Sequence, residues 1–289
     1  MSVLKPSPVI SPDAGSVPYE KAVLKLWGDQ QSGVVNDWIY VSNEKIQQLV
    51  FSLPPGGRFR HSERYRTVMG ADEIFYVLAG TLVLANPQTG EVHRVEEGEA
   101  AYFRQGTWHH GFNYGSTELR VLEYFAPPPS TGSSQPYART QPYLADTTYV
   151  QDQWIGRWPL AAGEAAAGHT QRVLRHEDIL WRLEGKTSQV LVGIYLSTEE
   201  LTTAVVDLLP GQVSEPHVHG GDEVGYVRDG RLNMFFPEYP ADGQGNGWFE
   251  MKAGDGYFVP AGTLHQHLNM SGSPVRFLFG VAPRYLPVT

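Results

Sequence analysis

Short runs rich in Val, Ile, Leu, Tyr and Phe recur along the chain, separated by Gly, Pro, Asn and Asp. Ile74–Leu78, Thr81–Ala85, Arg120–Phe125, Leu191–Tyr195, Thr203–Leu209 and Arg276–Val281 are examples. Apolar runs of this length between turn residues predict β-strands, and their close spacing predicts a sandwich or barrel. Helical periodicity is scarce. The best instance is Arg175–Leu183, where Ile179, Leu180 and Leu183 would make a short apolar stripe on a helix. The pattern predicts an all-β protein.

The pattern is also duplicated. Gly98, Arg104, Gly106, His109 and Asn113 have the spacing of Gly254, Pro260, Gly262, His265 and Asn269, about 156 residues further on. Upstream, Glu73 and Gly80 match Glu223 and Gly230. Between the copies lies Ala126–Gly168, which opens with Pro127-Pro128-Pro129-Ser130-Thr131-Gly132-Ser133-Ser134 and reads as a linker, with Ala161–Gly168 as a second flexible patch. The expected organisation is an N-terminal barrel with an N-terminal arm over residues 1–126, a linker over 127–168 and a C-terminal barrel over 169–289. In the arm, Lys21–Asn43 carries Trp27, Trp38 and Tyr40. It either covers an open sheet edge or forms an ordinary first strand.

Composition narrows the function classes. The 289 residues are 41% apolar, enough to pack one large core or two ordinary ones. Charged residues are only 18%, whereas Gly (31) and Pro (21) are plentiful, as a turn-rich β protein requires. A formal net charge of −9 argues against a nucleic-acid surface. There is no Cys, which excludes disulfides and thiolate chemistry. Met1–Pro18 shows no apolar signal segment, and no apolar run is long enough to span a bilayer. The expectation is a soluble, cytoplasmic protein with a small-molecule substrate and neither nucleic acid nor membrane as partner.

The candidate chemistry lies in the second copy. His217 and His219 are two residues apart, so on a strand they share one face. Gly220-Gly221 lets the chain turn before Glu223, and Pro260-Ala261-Gly262 makes another turn before His265. One buried His is usually a satisfied core residue. Four ligand-type residues at these offsets, with turn residues between them, point to a metal site. Three imidazoles and one carboxylate suit a single divalent transition metal (Fe, Mn, Ni, Cu or Zn) with positions left open for substrate. His267 and Asn269 follow His265 at alternate positions. His267 either orients the ligands or shuttles a proton, or it tops the barrel and meets solvent. Glu215 and Asp222 are expected on the rim, and Met234, Phe235 and Phe236 in pocket wall or plain core.

The first copy is irregular. Glu73 and His109 occupy matching positions, but the strand that should carry the paired His does not fit. Counting from Gly57 lands on Glu63 and Tyr65, and counting from Gly56 lands on Ser62. The gap to Glu73 is also too long. Either His61, Glu63, Glu73 and His109 form a second, carboxylate-rich metal site, or this barrel has lost its metal and serves as structure or lid. The irregular spacing favours loss. His110 is expected to face away from His109.

On these motifs the chain resembles the cupin superfamily, and its two units resemble a bicupin. Both motifs fit the C-terminal half without a gap, and Arg104 stands where the first half should have Pro. The resemblance implies a double-stranded β-helix barrel of jelly-roll type in each half, with metal inside. Similarity to flavonol-cleaving bicupins implies that Glu223 doubles as a base beside the metal. Three functions follow: a metal-dependent dioxygenase cleaving a small aromatic, phenolic or diketone-like substrate with O2; a non-redox isomerase, epimerase or lyase of a sugar or carboxylate; or a non-catalytic ligand-binding bicupin. An apolar pocket favours the first, and one lined with Arg, Lys, Asn and Gln the second. Because two barrels can pair their sheet edges within one chain, both monomer and homodimer are open.

Overall fold

A computed structural model of the chain describes residues 13–127, 142–238 and 247–287. The Pro/Ser part of the linker from Pro128 to Ser134 falls outside them. Two barrels of the jelly-roll type are present, each made of one seven-stranded sheet and one smaller sheet. The six apolar runs named above all lie in strands: Asp72–Ala79, Thr81–Ala85, Leu119–Ala126, Val190–Ser197, Thr202–Leu208 and Val275–Ala282, with only Leu209 just beyond its strand's end.

Alternation along the strands builds three apolar layers from two sheets. In Asp72–Ala79, Phe75 and Val77 enter the N-terminal barrel while Ile74 and Tyr76 point the other way. In Asp222–Asp229, Val227 enters the C-terminal barrel while Val224 and Tyr226 point out. The outward residues of both sheets form one shared core with Tyr40, Val50, Leu122, Tyr124, Phe258 and Leu278. Polar clips cross this interface: Tyr40 Oη donates to Gly254 O at 2.6 Å, and Gln48 Nε2 to Gly225 O at 2.7 Å. Arg104, at the Pro position of the motif, reaches Glu199 of the other unit at 2.6 Å.

Each large sheet is finished by a strand from across the chain. Gly15–Val17 pairs with Gly256–Val259, and Gln171–Leu174 pairs with Ala100–Phe103. Backbone groups of an open edge are thereby paired. Edge cover therefore comes from Gly15–Val17, while the Trp-bearing arm forms the ordinary strands Val23–Asp29 and Gly33–Ser42. Two local expectations are corrected. Arg175–Leu183 is a short 3-10 turn at His176–Asp178 followed by the strand Leu180–Glu184, because pairing with Val190–Ser197 outweighs a weak helical stripe. The supposedly flexible Ala161–Gly168 contains the helix Ala162–Ala167, since the three consecutive Ala favour helix and Ala165 is buried.

Candidate metal centre

The duplication is retained in register. Glu73 pairs with Phe103 and Phe125, and Glu223 pairs with Val259 and Val281. The same Glu therefore projects into each barrel from the same strand. Glycines at matching motif positions adopt the left-handed region, with φ of 79° at Gly106 and 75° at Gly262, where the chain reverses before each His.

In the C-terminal barrel, ligand-type atoms of His217, His219, Glu223 and His265 all lie within 4.8 Å of one another. Glu223 Oε2 is 3.1 Å from His219 Nε2 and 3.1 Å from His265 Nε2. His217 and His219 sit in an extended segment rather than a full strand. An isolated bridge between His217 and His265 ties that segment down. Backbone carbonyls orient all three rings: His217 Nδ1 donates to Glu215 O at 2.8 Å, His219 Nδ1 to Tyr285 O at 2.8 Å and His265 Nδ1 to Thr263 O at 2.9 Å. A neutral ring that donates through Nδ1 keeps its lone pair on Nε2. Three such lone pairs and a carboxylate then converge in a buried space, and a divalent cation satisfies all four at once. The residues present fit a metal.

Burial pushes His219 down, but its contact with Glu223 outweighs that and raises it, so a bound cation would displace a proton shared by this pair. Burial pushes the Glu223 carboxyl up, but His265 and His219 outweigh it and hold it well below its ordinary value. Burial, reinforced by the His265 ring, lowers His217 to about 4, so it is neutral and ready to bind metal. Tyr257 Oη donates to Glu223 Oε1 at 2.6 Å, leaving Oε2 for the centre. His267 is buried, and its Nε2 lies 3.6 Å from Glu223 Oε1 without a hydrogen-bond partner. The cavity beside the cluster measures about 130 Å³; Val190, Val192, Val206, Leu208, Phe277, Phe279 and Tyr285 form most of its wall, with Glu184, Ser214 and Glu215 also lining it. Among the described residues no Arg or Lys lines it. Glu215 is half-buried at the cavity lining and accepts from Lys186 N and Thr187 N, and Asp222, expected on the rim, is buried and binds Lys45 at 2.7 Å; neither joins the cluster.

The N-terminal barrel differs, and the expected register there needs correction. Backbone pairing identifies the equivalents of the paired His. His109 N donates to Thr67 O as His265 N donates to His217 O, and Gly106 N donates to Met69 O as Gly262 N donates to His219 O. Thr67 and Met69 therefore hold the two imidazole positions, and Glu73 follows Met69 by four residues as Glu223 follows His219. Extra residues between Gly56 and Thr67 displaced the forward count from the glycines. Of the second set, only Glu73 and His109 come together, with Oε2 and Nε2 3.6 Å apart. His61 lies elsewhere, against His110 at 2.5 Å and Leu144 O at 2.7 Å, and Glu63 is exposed.

Tyr257, Tyr285, Thr67 and Met69 escaped the sequence reading. Tyr257 was legible, since it alternates inward two residues before Val259. Counting back four and six residues from Glu73 would have found Met69 and Thr67. Tyr285 follows the last strand and carries no local signal.

The cupin domain family model matches twice, at residues 49–125 and 204–281, and the chain belongs to the cupin family with two cupin domains. Comparison with curated proteins finds no match. Among solved structures, protein Ylba from E. coli is similar at 12% identity and a TM-score of 0.62, covering 97% of this chain and 96% of that one. A mutant of oxalate decarboxylase OxdC from Bacillus subtilis has 16% identity and a TM-score of 0.61, covering 96% and 80%. AerE from Microcystis aeruginosa has 11% identity and a TM-score of 0.59, covering 90% and 97%. These likenesses are those of a two-barrel cupin fold. Among the described residues, no helix is long and apolar enough to cross a membrane.

One pH dependence follows from the N-terminal barrel. Burial, with help from the Asp72 charge, raises the Glu73 carboxyl from 4.5 to about 8. Between those values the folded protein holds a proton that the unfolded chain releases, so this group costs stability as pH rises. Glu73→Gln is expected to gain stability over the parent between pH 5 and 8, by on the order of 1–3 kcal/mol at the upper end. Urea denaturation of both proteins across that range measures the difference; a gap that stays constant with pH would contradict the raised carboxyl.

Proposed function

We propose that the protein is a metal-dependent dioxygenase that cleaves a small aromatic, phenolic or diketone-like substrate at the C-terminal centre. The observation that carries this reading is the mainly apolar wall beside a three-His, one-Glu cluster, whose described charged lining residues outside the cluster, Glu184 and Glu215, are acidic, with no Arg or Lys. An anionic sugar acid or a dianion such as oxalate would have no cationic side chain to meet there. A flat, uncharged substrate can lie against Phe277, Phe279 and Tyr285.

His217, His219, Glu223 and His265 would hold the metal, which supplies Lewis acidity and, for a redox-active ion, an electron route to O2. The chain's own residues do the rest. Tyr257 fixes one oxygen of Glu223, so the carboxylate keeps a single orientation. A substrate hydroxyl or enolisable C–H brought beside Glu223 can pass its proton to that carboxylate, with His267 next in reach. Val190, Val192 and Leu208 add apolar surface to the cavity wall.

Protein purified without added metal and reloaded with Fe(II), Mn(II), Ni(II), Cu(II) or Zn(II) in turn should consume O2 with phenolic or β-diketone substrates for at least one redox-active ion. Zn(II) should not support consumption. Turnover of a sugar or hydroxy acid with Zn(II), without O2 uptake, would establish the non-redox alternative instead.

A further inference from the structure

The N-terminal barrel keeps an internal cavity of about 80 Å³ in a place where two of four metal positions are Thr67 and Met69. Its walls differ from those of the C-terminal barrel in one specific way. Asp37 pairs with Phe51, which pairs with Val121; the corresponding ladder in the other barrel runs Val192, Val206, Phe277. Asp37 thus takes the place of Val192. Glu123 pairs with Phe75 as Phe279 pairs with Gly225, so Glu123 takes the place of Phe279. Two apolar wall residues of the C-terminal cavity are acids in the N-terminal one, and both line it.

Burying carboxyl groups in an apolar enclosure is costly unless something compensates them. Glu123 is buried and lines the cavity; Glu73, 3.6 Å from the lining residue His109, is buried outside the lining. Thr67, 2% exposed, has an unpartnered Oγ1 and lines the same space. Lys25 is the single Lys or Arg among the lining residues and is drawn to Asp37, which leaves acids in excess. Five aromatic rings, Trp27, Phe51, Phe59, Phe75 and Phe125, share the remaining wall with aliphatic side chains and Gln47. Aromatic faces attract organic cations. A metal ion is not favoured, because the described groups whose ligand atoms cluster within 4.8 Å include none from this cavity.

We propose that the N-terminal barrel is a second ligand site, which binds a small organic cation of the alkyl- or quaternary-ammonium class between Asp37, Glu123 and the aromatic wall. The cavity has room for on the order of five to eight waters, hence for a ligand of similar heavy-atom count. Asp37 and Glu123 supply the counter-charge by ionising against the bound cation, Thr67 Oγ1 supplies an acceptor, and the rings cover the ligand. This site does not depend on the dioxygenase reading.

Choline and its neutral isostere 3,3-dimethylbutan-1-ol, titrated separately into the full-length protein by calorimetry, test the idea. Choline should bind at least tenfold more tightly than the alcohol. Glu123→Gln and Asp37→Asn should each weaken choline at least tenfold while circular dichroism shows an intact fold. Glu123→Phe, which installs the residue of the other barrel, should abolish choline binding. The proposal is overturned by equal affinity for the two compounds, by unchanged choline affinity in the folded variants, or by no choline binding at 10 mM. Displacement of choline by Mn(II) or Zn(II) alone would also overturn it, in favour of a metal site.

Discussion

His217→Ala and Glu223→Gln are each expected to strip the C-terminal centre of its metal. His217 is one of three rings whose Nε2 is freed by a backbone acceptor on Nδ1, and Glu223 is the only carboxylate in the cluster. Loss of a ligand removes both a bond and the charge that balances the cation. Changing residues that merely orient ligands already costs about 10–100-fold in affinity or activity, so removing a ligand should exceed roughly a hundredfold. Metal content by mass spectrometry should fall below one equivalent's detection range after dialysis, and turnover should fall with it. The same measurement on Glu63→Gln should show no change, because that side chain is exposed and lines neither cavity. Retained metal and activity in Glu223→Gln would remove the basis for a metal centre here.

Gly225→Ala should unfold or badly distort the same barrel, although it adds only one methyl. A Cβ at Gly225 would lie 2.0 Å from Tyr257 Cε1 and 2.0 Å from Cζ. Tyr257 is fully buried and its hydroxyl is tied to Glu223, so the ring cannot move aside without releasing that bond. Overpacking of a filled core costs about 1–3 kcal/mol and sometimes more, and this contact belongs at the upper end. Chemical denaturation should report the loss, and metal affinity should drop in whatever folded protein remains, because Glu223 Oε1 loses its anchor. Gly272→Ala is the control: a Cβ there meets nothing within 4 Å, so stability should be unchanged. An equally stable Gly225→Ala with full metal would mean that the Tyr257 ring is not packed as described.

Much of the strand architecture was legible because it is written locally. Alternation in Asp72–Ala79 and Asp222–Asp229 states which side chains enter a barrel, and Gly and Pro state where the chain reverses. His217, His219, Glu223 and His265 were legible for the same reason, since offsets of two and four residues survive any reasonable register. The N-terminal counterpart was not. Extra residues before Thr67 break the count from Gly56, and alternation puts His61 and Glu63 on one face without saying whether that face lines the cavity, which neither does. Arg175–Leu183 failed differently: its stripe was too weak to resist pairing with a neighbouring strand.

The sequence by itself determined the two-copy organisation, the strand class and the four ligand-type residues of the second copy. Those depend on period and spacing, which neighbouring residues set among themselves. Only the tertiary structure decided that Gly15–Val17 and Gln171–Leu174 each complete the sheet of the other half. Only it placed Tyr257 on Glu223, and brought Asp37 and Glu123 from separate strands to one cavity. Such meetings rest on pairings between distant segments, and these are selected by how whole sheets twist, pack and close, not by any local pattern.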